Sequence, residues 1–345
     1  MKKRSSTTPV KTMADIARIA GVSSSTVSRA LAGSALVEDS QRDRIIKIAR
    51  EGGYVINSTA RNLRLQRTET LSVAIPLGHE SSQPLSDPFF VEMLGYLAEE
   101  ITRRGYGMFV QKISSPMDDW MYRLIAAHRS DGIIVIGQST EHEVIEAASV
   151  SYKPLVVWGG HDRQQSYCTV GTDNVAGARA AVSHLIALGR RKIVFFGDPK
   201  LPEIRLRHDG YQRAVAQASQ VEAMPTVPTH LTADAAYESM RAFASSGIAF
   251  DGVFAATDVI AMSAIRALTG AGLRVPEDVA VVGFDDIALA AHCNPALTTV
   301  RQDIQRGAEM MVDLLLRRIA GEDTPSATMA AELVVRESCG AARAS

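Results

Sequence analysis

The stretch MADIARIAGVSSSTVSRAL, residues 13–31, sets the reading of this chain. Thr12 stands before it with Asp15 three places on, the spacing of a capping box, and Ile16, Ile19 and Ala20 follow at helical intervals. A helix is therefore expected over 13–20, stopped by Gly21. Ser23 then caps a second helix whose buried stripe is Val27, Ala30 and Leu31. Two short helices about three residues apart form a helix-turn-helix, in which the second enters the major groove of DNA with its first side chains against base edges. A third helix over 40–50 supplies Ile45, Ile48 and Ala49 to close the core, and Gly52–Gly53 ends it. An ordinary helical hairpin has the same spacing, so the reading needs support from outside the stretch.

Charge supplies some of it. The chain of 345 residues carries a net charge of −1, yet residues 1–69 hold 13 Lys/Arg against 6 Asp/Glu, a net of +7, leaving −8 on the remainder. Clustered Lys/Arg neutralise phosphates, so a basic head on an acidic body suits a nucleic-acid-binding segment joined to a separate sensing domain, although a solvated basic tail has the same composition. Ser24 and Ser25 open the second helix toward the bases. Arg29 lies one turn further on the same face and is the candidate guanine reader. Ser23, Thr26 and Ser28 are placed to donate to phosphates, which sets register without reading sequence; Thr12, at the start of the first helix, joins this DNA-contacting set.

Beyond residue 70, short apolar runs alternate with helical patterns. Strands are expected at 71–76, 107–111, 132–137, 155–158, 192–197, 252–255 and 279–284, and helices at 90–104, 175–188, 207–218, 258–271 and 303–320. This βα rhythm predicts parallel sheets covered on both faces, and too many strands for one sheet, hence two doubly wound subdomains. In such sheets ligands bind outside the carboxyl ends of the strands.

Other classes lack their signatures. No G-x-G-x-x-G follows a strand and no G-x-x-x-x-G-K-[ST] is present, so neither nucleotide loop exists. His142-Glu143 is followed by Glu146 rather than a second histidine, and no G-x-S-x-G elbow occurs. An enzyme, a metal site and a cofactor are not expected. Cys168, Cys293 and Cys339 form no C-x-x-C and leave one unpaired, which fits a reducing compartment. The opening MKKRSSTTPV has no apolar stretch after its basic residues, and no apolar run reaches the about 18 residues of a membrane span. A cytoplasmic protein without membrane attachment is expected.

The segments MADIARIAGVSSSTVSRAL and SQRDRIIKIAREGGYVINSTARNLRLQRTETLSVAIP resemble the head and hinge of the LacI/GalR family of transcriptional regulators. DPFFVEMLGYLAEEITRRGY, GTDNVAGARAAVSHLIALGRRKIVFFGD, RHDGYQRAV, GLRVPEDVAVVGFDDIALA and NPALTTVRQDI resemble its core, in order, so the likeness spans nearly the whole chain. It implies a small all-α helix-turn-helix head on an α/β core that is periplasmic-binding-protein-like. The implied layout is a tail at 1–11, a DNA-binding domain at 12–57, a hinge at 58–69 and an effector-binding, dimerising core at 70–345. Within the core, an N-subdomain would span 70–171 and 299–331 and a C-subdomain 172–298 and 332–342.

The family's N-x-x-A-R-x-L hinge motif falls on Asn57, Ala60, Arg61 and Leu63, and the likeness implies that two Leu63 side chains of a homodimer wedge into the minor groove of a pseudo-palindromic operator. It implies effector-binding roles for Arg207, in R-x-x-G-Y, and for Asp285, in G-F-D-D. Asp87, Phe89, Thr257, Asp258, Glu203 and Trp158 occupy further pocket positions. Residue chemistry leaves alternatives: a salt bridge for Arg207, a helix N-cap for Asp285, a core aromatic for Trp158. The family often carries an acid where this chain has Gly159. The implied effector is a mono- or disaccharide that releases the protein from operator DNA, with a nucleoside or purine, co-repression or activation as alternatives. The ending RESCGAARAS has no leucine heptad for tetramers.

Overall fold

The computed structural model describes residues 12–31, 34–54, 67–77, 83–113, 119–138, 140–161, 165–222 and 224–341. The chain divides into two compact units, residues 1–67 and 68–345.

The first unit contains helices Met13–Ala20, Ser24–Leu31 and Asp39–Glu51 around Ile16, Val27 and Ile45, each with 0% exposure. Both arms of the capping box form: the amide of Asp15 donates to the Thr12 hydroxyl at 3.2 Å, and the amide of Thr12 donates to the Asp15 carboxylate at 3.0 Å. Gly21 turns the chain at φ 69°, a left-handed conformation that glycine adopts without steric cost. A head this small has little core to spare. Thr12→Ala removes one arm of the box at a cost of about 1 kcal/mol, so amide hydrogen exchange across 15–20 is expected to quicken about fivefold. Unchanged exchange would mean that tertiary packing alone holds this helix start.

The second unit has two sheets. The first runs β10-β5-β4-β3-β1-β2, with β1 Thr70–Pro76, β2 Gly107–Ile113, β3 Gly132–Ile136, β4 Leu155–Trp158, β5 Cys168–Thr172 and β10 Ala327–Met329, all parallel. The second runs β11-β9-β8-β7-β6, with β6 Ile193–Phe196, β7 Gly252–Ala255, β8 Ala280–Asp285, β9 Thr298–Arg301 and β11 Glu332–Val334, parallel except for β11 against β9. β3 and β4 are buried along their whole length, as strands covered on both faces must be. This is the doubly wound pair of subdomains that the βα rhythm predicts.

The chain passes between the sheets after β5, after β9 and between β10 and β11. β9 pairs with β8, so residues 299–301 lie in the second sheet rather than at the start of the return to the first. Helices Trp120–Ala126, His142–Ser151 and Ala233–Ala244 add to those expected, and the helix expected from 207 begins at Pro202, whose missing N–H suits the first helical turn. Helices Asn174–Ala187 and Pro202–Ala216 pack backbone to backbone at Gly210, where a Cβ would collide with the Val175 carbonyl. That close approach seats Arg207, one turn earlier, over the carboxyl ends of the second sheet.

Candidate functional site

On the head, Ser23 caps the second helix. Its hydroxyl accepts from the Thr26 amide at 3.1 Å and lies 2.8 Å from the hydroxyls of both Ser25 and Thr26. Ser23, Ser24, Ser25 and Arg29 are exposed, and Thr26 and Ser28 half-buried. Thr12 is also exposed but occupied by its cap. Arg42 pairs with Asp39 at 2.8 Å and Arg18 with Asp15 at 3.7 Å, whereas Arg29 has no ion pair among the described residues. The exposed face of the second helix thus presents hydroxyls and a guanidinium. Asn57, Ala60, Arg61 and Leu63 lie outside the described residues.

In the second unit, a cavity opens between the carboxyl ends of the two sheets. Asp87, Phe89, Trp158, Glu203, Arg207, Thr257 and Asp285 all line it. Asp87 caps the helix Pro88–Arg103, accepting from the Phe89 amide at 3.0 Å and from Gln83 Nε2 at 3.1 Å, and burial raises its pKa. Trp158 ends β4 with its ring against Gly307, where a Cβ would collide with it, and its centroid is 6.5 Å from that of Phe89. It is 4% exposed, a packed aromatic that also lines the cavity.

Arg207 is buried rather than a surface ion pair. Its Nε donates to Asn174 Oδ1 at 2.8 Å, its Nη1 to the Ala256 carbonyl at 2.5 Å, and Nη1 lies 3.4 Å from Asp285 Oδ1. Its guanidinium sits 3.9 Å over the Phe284 ring, so one face is covered by π-density. Burial lowers its pKa, against the opposing pull of Asp285, Glu203 and Asp258. Asp285 accepts from the amide of Asp258, at the start of helix Asp258–Gly270, and also faces Arg207. It ends β8 at φ 128°, followed by Asp286 at φ 58°, and accepts from Gln302 Nε2 at 2.7 Å. Two successive non-glycine residues in this region are strained, and Gln302 together with the Asp286 pairs to Arg301 and Arg336, at 2.7 and 2.6 Å, holds them there. Burial pushes the Asp285 carboxyl up to about 6, with Arg207 pulling the other way.

Asp258 does not reach the cavity. Thr257 takes the lining position and caps the following helix through Ile260, while the Asp258 carboxylate turns inward, 0% exposed, to accept from the Ile287 amide at 3.0 Å and from the Thr299 hydroxyl. Burial, and then the charge of Asp285, push it up to about 8. It positions the β8 end from behind.

Glu203 crosses the cleft: its Oε1 accepts from the Gln138 amide, in the loop after β3, at 3.2 Å. A Cβ at Gly159 would stand 3.1 Å from that oxygen and 3.0 Å from the Gln138 side chain. The bare Gly159 therefore makes room for a carboxylate delivered from the opposite subdomain. Glu92 crosses elsewhere, accepting from the Ala288 amide at 2.6 Å. Sequence reasoning passed over Gln83, Asn174 and Gln302, which line the same cavity. The last two follow the crossovers after β5 and β9, and topology would have flagged them; Gln83 has no sequence signal.

Comparison with known proteins places this geometry. Residues 12–57 match the model described as bacterial regulatory proteins, lacI family, and residues 182–339 match the periplasmic binding protein-like domain. The HTH-type transcriptional regulator CelR of Thermobifida fusca is 32% identical over 341 residues, covering 95% of this chain and 98% of that protein. The Lac repressor dimer bound to operator and the anti-inducer ONPF superposes with a TM-score of 0.84 at 25% identity, covering 96% of this chain and 100% of that one. A CelR–cellobiose complex gives 0.68 at 28% identity, covering 95% and 100%.

Proposed function

This chain belongs to the lacI family of bacterial regulatory proteins and is a DNA-binding transcriptional regulator; we propose from that premise that it represses carbohydrate uptake or catabolic genes and is released by a mono- or disaccharide. The observation that carries the effector reading is Arg207, buried beside Asp285 at 3.4 Å with Glu203 and Asn174 in the same cavity. An arginine fork that donates and a carboxylate that accepts suit the vicinal hydroxyls of a sugar. CelR has been captured with cellobiose, which puts that disaccharide first among the sugars to try.

The protein acts as a cytoplasmic homodimer on a pseudo-palindromic operator, since the symmetry of a dimer and of its site match. Each head uses Ser24, Ser25 and Arg29 on bases, with Thr12, Ser23, Thr26 and Ser28 toward phosphates. Asn57, Ala60, Arg61 and Leu63 form the hinge at the operator centre. Asp87, Phe89, Trp158, Glu203, Thr257 and Asp285 hold the sugar with Arg207, and Asp258 acts through Asp285. Sugar binding favours one arrangement of the two subdomains, and operator binding the other. The coupling is reciprocal, so operator weakens sugar binding by the same factor.

The test is to select duplexes from a random pool with the full chain, then to titrate the selected site with and without neutral sugars. A two-fold-related site whose affinity falls about tenfold or more with one sugar is expected; indifference to every sugar that binds would sink the switch. In the same assay Arg29→Ala should cost about 1–3 kcal/mol on the selected site, with a far smaller loss on random DNA. Equal losses would make Arg29 a phosphate contact.

A further inference from the structure

Each subdomain reaches across the cleft with one helix. From the first, helix Pro88–Arg103 carries Phe89 and Glu92. Phe89 packs against the buried cores of both subdomains, and Glu92 Oε1 accepts from the Ala288 amide at 2.6 Å. From the second, helix Pro202–Ala216 carries Glu203 and Leu206. Glu203 Oε1 accepts from the Gln138 amide at 3.2 Å, and Leu206 lies over Gly160, where a Cβ would stand 2.6 Å from its Cδ1. The two contacts are built alike. Each sets a glutamate and an apolar residue three places apart, on one helix face, against the other subdomain. Gly159 and Gly160 are the seat of the second contact, and both are buried. Neither has a positive φ, so backbone conformation does not call for glycine at either position. Space does: a side chain at 159 meets the Glu203 carboxylate, and one at 160 meets Leu206.

We propose that Phe89–Glu92 and Glu203–Leu206 form a two-point clasp with which the chain closes its own cleft, and that Glu92 and Gly160 are positioning residues that set how readily the cleft opens. Each subdomain has its own buried core, so the two move as bodies and a single opening motion must break both contacts. Both hydrogen bonds are charge-assisted, a carboxylate accepting from a main-chain amide, and such bonds are stronger than neutral ones. Every group in the clasp belongs to the chain, so closure does not depend on what occupies the cavity. Glu92, Leu206 and Gly160 are not among the described residues that line the cavity, so they act on the cleft without touching its contents. Sugar and operator select different arrangements of the subdomains in the reading above, and the clasp sets the balance on which both draw. That consequence rests on the reading; the clasp itself does not.

The test is amide hydrogen exchange on the full chain, read residue by residue. In Glu92→Ala the Gln138 amide keeps its own acceptor, yet it is expected to exchange about threefold to tenfold faster, the worth of one hydrogen bond taken from the shared closing motion. In Gly160→Val the new side chain displaces Leu206, and the Ala288 amide should quicken by a similar factor. Glu92→Gln keeps an acceptor and should restore most of the protection at Gln138. Amides within β3 and β7 report unfolding as a whole and should not change. Faster exchange at Ala288 alone in Glu92→Ala would make each contact a local strut and overturn the clasp. Equal acceleration within β3 and β7 would mean lost stability instead of an opened cleft, and overturns it too; Glu92 lies at the surface end of its contact, so its variants still decide the matter if Gly160→Val does not fold. With no sugar added, Glu92→Ala should also change affinity for the selected duplex by about threefold or more. A change within about 1.5-fold beside the expected exchange overturns the regulatory role and keeps the clasp. If no duplex is selected, the regulator reading fails by itself and the exchange data still judge the clasp.

Discussion

Replacing Arg207 by alanine should yield a chain that still binds its operator and no longer answers to sugar. The guanidinium is the one cation among the described cavity-lining residues, and it faces Asp285, Glu203 and Asn174. Hydrogen bonds from a charged donor to ligand are worth about 1.5–3 kcal/mol each, so losing one or two removes roughly 10- to 10,000-fold in affinity. Stability falls as well. Taking one partner from a buried pair leaves a carboxylate uncompensated, at about 3–5 kcal/mol when it stays charged. Asp285 has another way out, because burial already holds its pKa up at about 6 and loss of Arg207 raises it further. An acid whose folded pKa lies above its unfolded value binds more protons when folded, and stability drops as pH climbs through that interval. The melting temperature of Arg207→Ala should therefore trail wild type by more at pH 8 than at pH 6. Operator affinity and the sugar response are read by anisotropy on the selected duplex. A retained sugar response would remove Arg207 from the site; loss of DNA binding together with a collapsed melting transition would mean misfolding instead, and Arg207→Lys, which keeps the charge without the fork, then separates the two.

How much of this could be read from sequence depended on the kind of signal. The head is governed by local rules, and Thr12, Asp15 and Gly21 take the cap positions their spacing predicts. Strands β4 and β7 fall on their expected residues because they are apolar runs bounded by turns. Strands β5 and β9, Cys-Thr-Val-Gly-Thr and Thr-Thr-Val-Arg, escaped notice because their threonines read as polar. Thr169, Thr298 and Thr299 are nonetheless 0% exposed, and the Thr299 hydroxyl is satisfied by Asp258. Burial of a polar side chain depends on a partner over forty residues away, which periodicity does not encode.

The site shows the same division. The family likeness supplied eight candidates, and seven of them line the cavity. It missed by one residue at Thr257-Asp258, because capping turned the first side chain outward and the buried Ile287 amide drew the second inward. Gln83 sits in no motif and at no strand end, and only the folded structure brings it to the cavity.

Asp258 carries the other large effect, and its sign is unusual for a buried, hydrogen-bonded carboxylate. Asp258→Asn is expected to stabilise the protein above neutral pH. The carboxyl is pushed from 3.8 up to about 8, first by burial and then by the charge of Asp285. Between those values the folded state holds a proton that the unfolded chain releases, so unfolding free energy falls with rising pH, by up to about 1.4 kcal/mol per unit for one group. Over most of that range other groups interfere. His184 and His208 have lowered pKa values from burial and contribute with the opposite sign below about 6.5, where the unfolded chain takes the proton. Between pH 7 and 8 they are silent, and the wild type should lose about 1 kcal/mol, roughly 2–4 °C in melting temperature, that Asp258→Asn keeps. Asparagine can preserve both contacts: its oxygen accepts from the Ile287 amide, and its Nδ2 donates to the Thr299 hydroxyl, reversing that bond. The variant should therefore melt above wild type at pH 8 and the gap should close toward pH 5. A lower melting temperature at every pH would mean that the charged carboxylate, through its attraction to Arg207, stabilises the β8 end more than burial costs it.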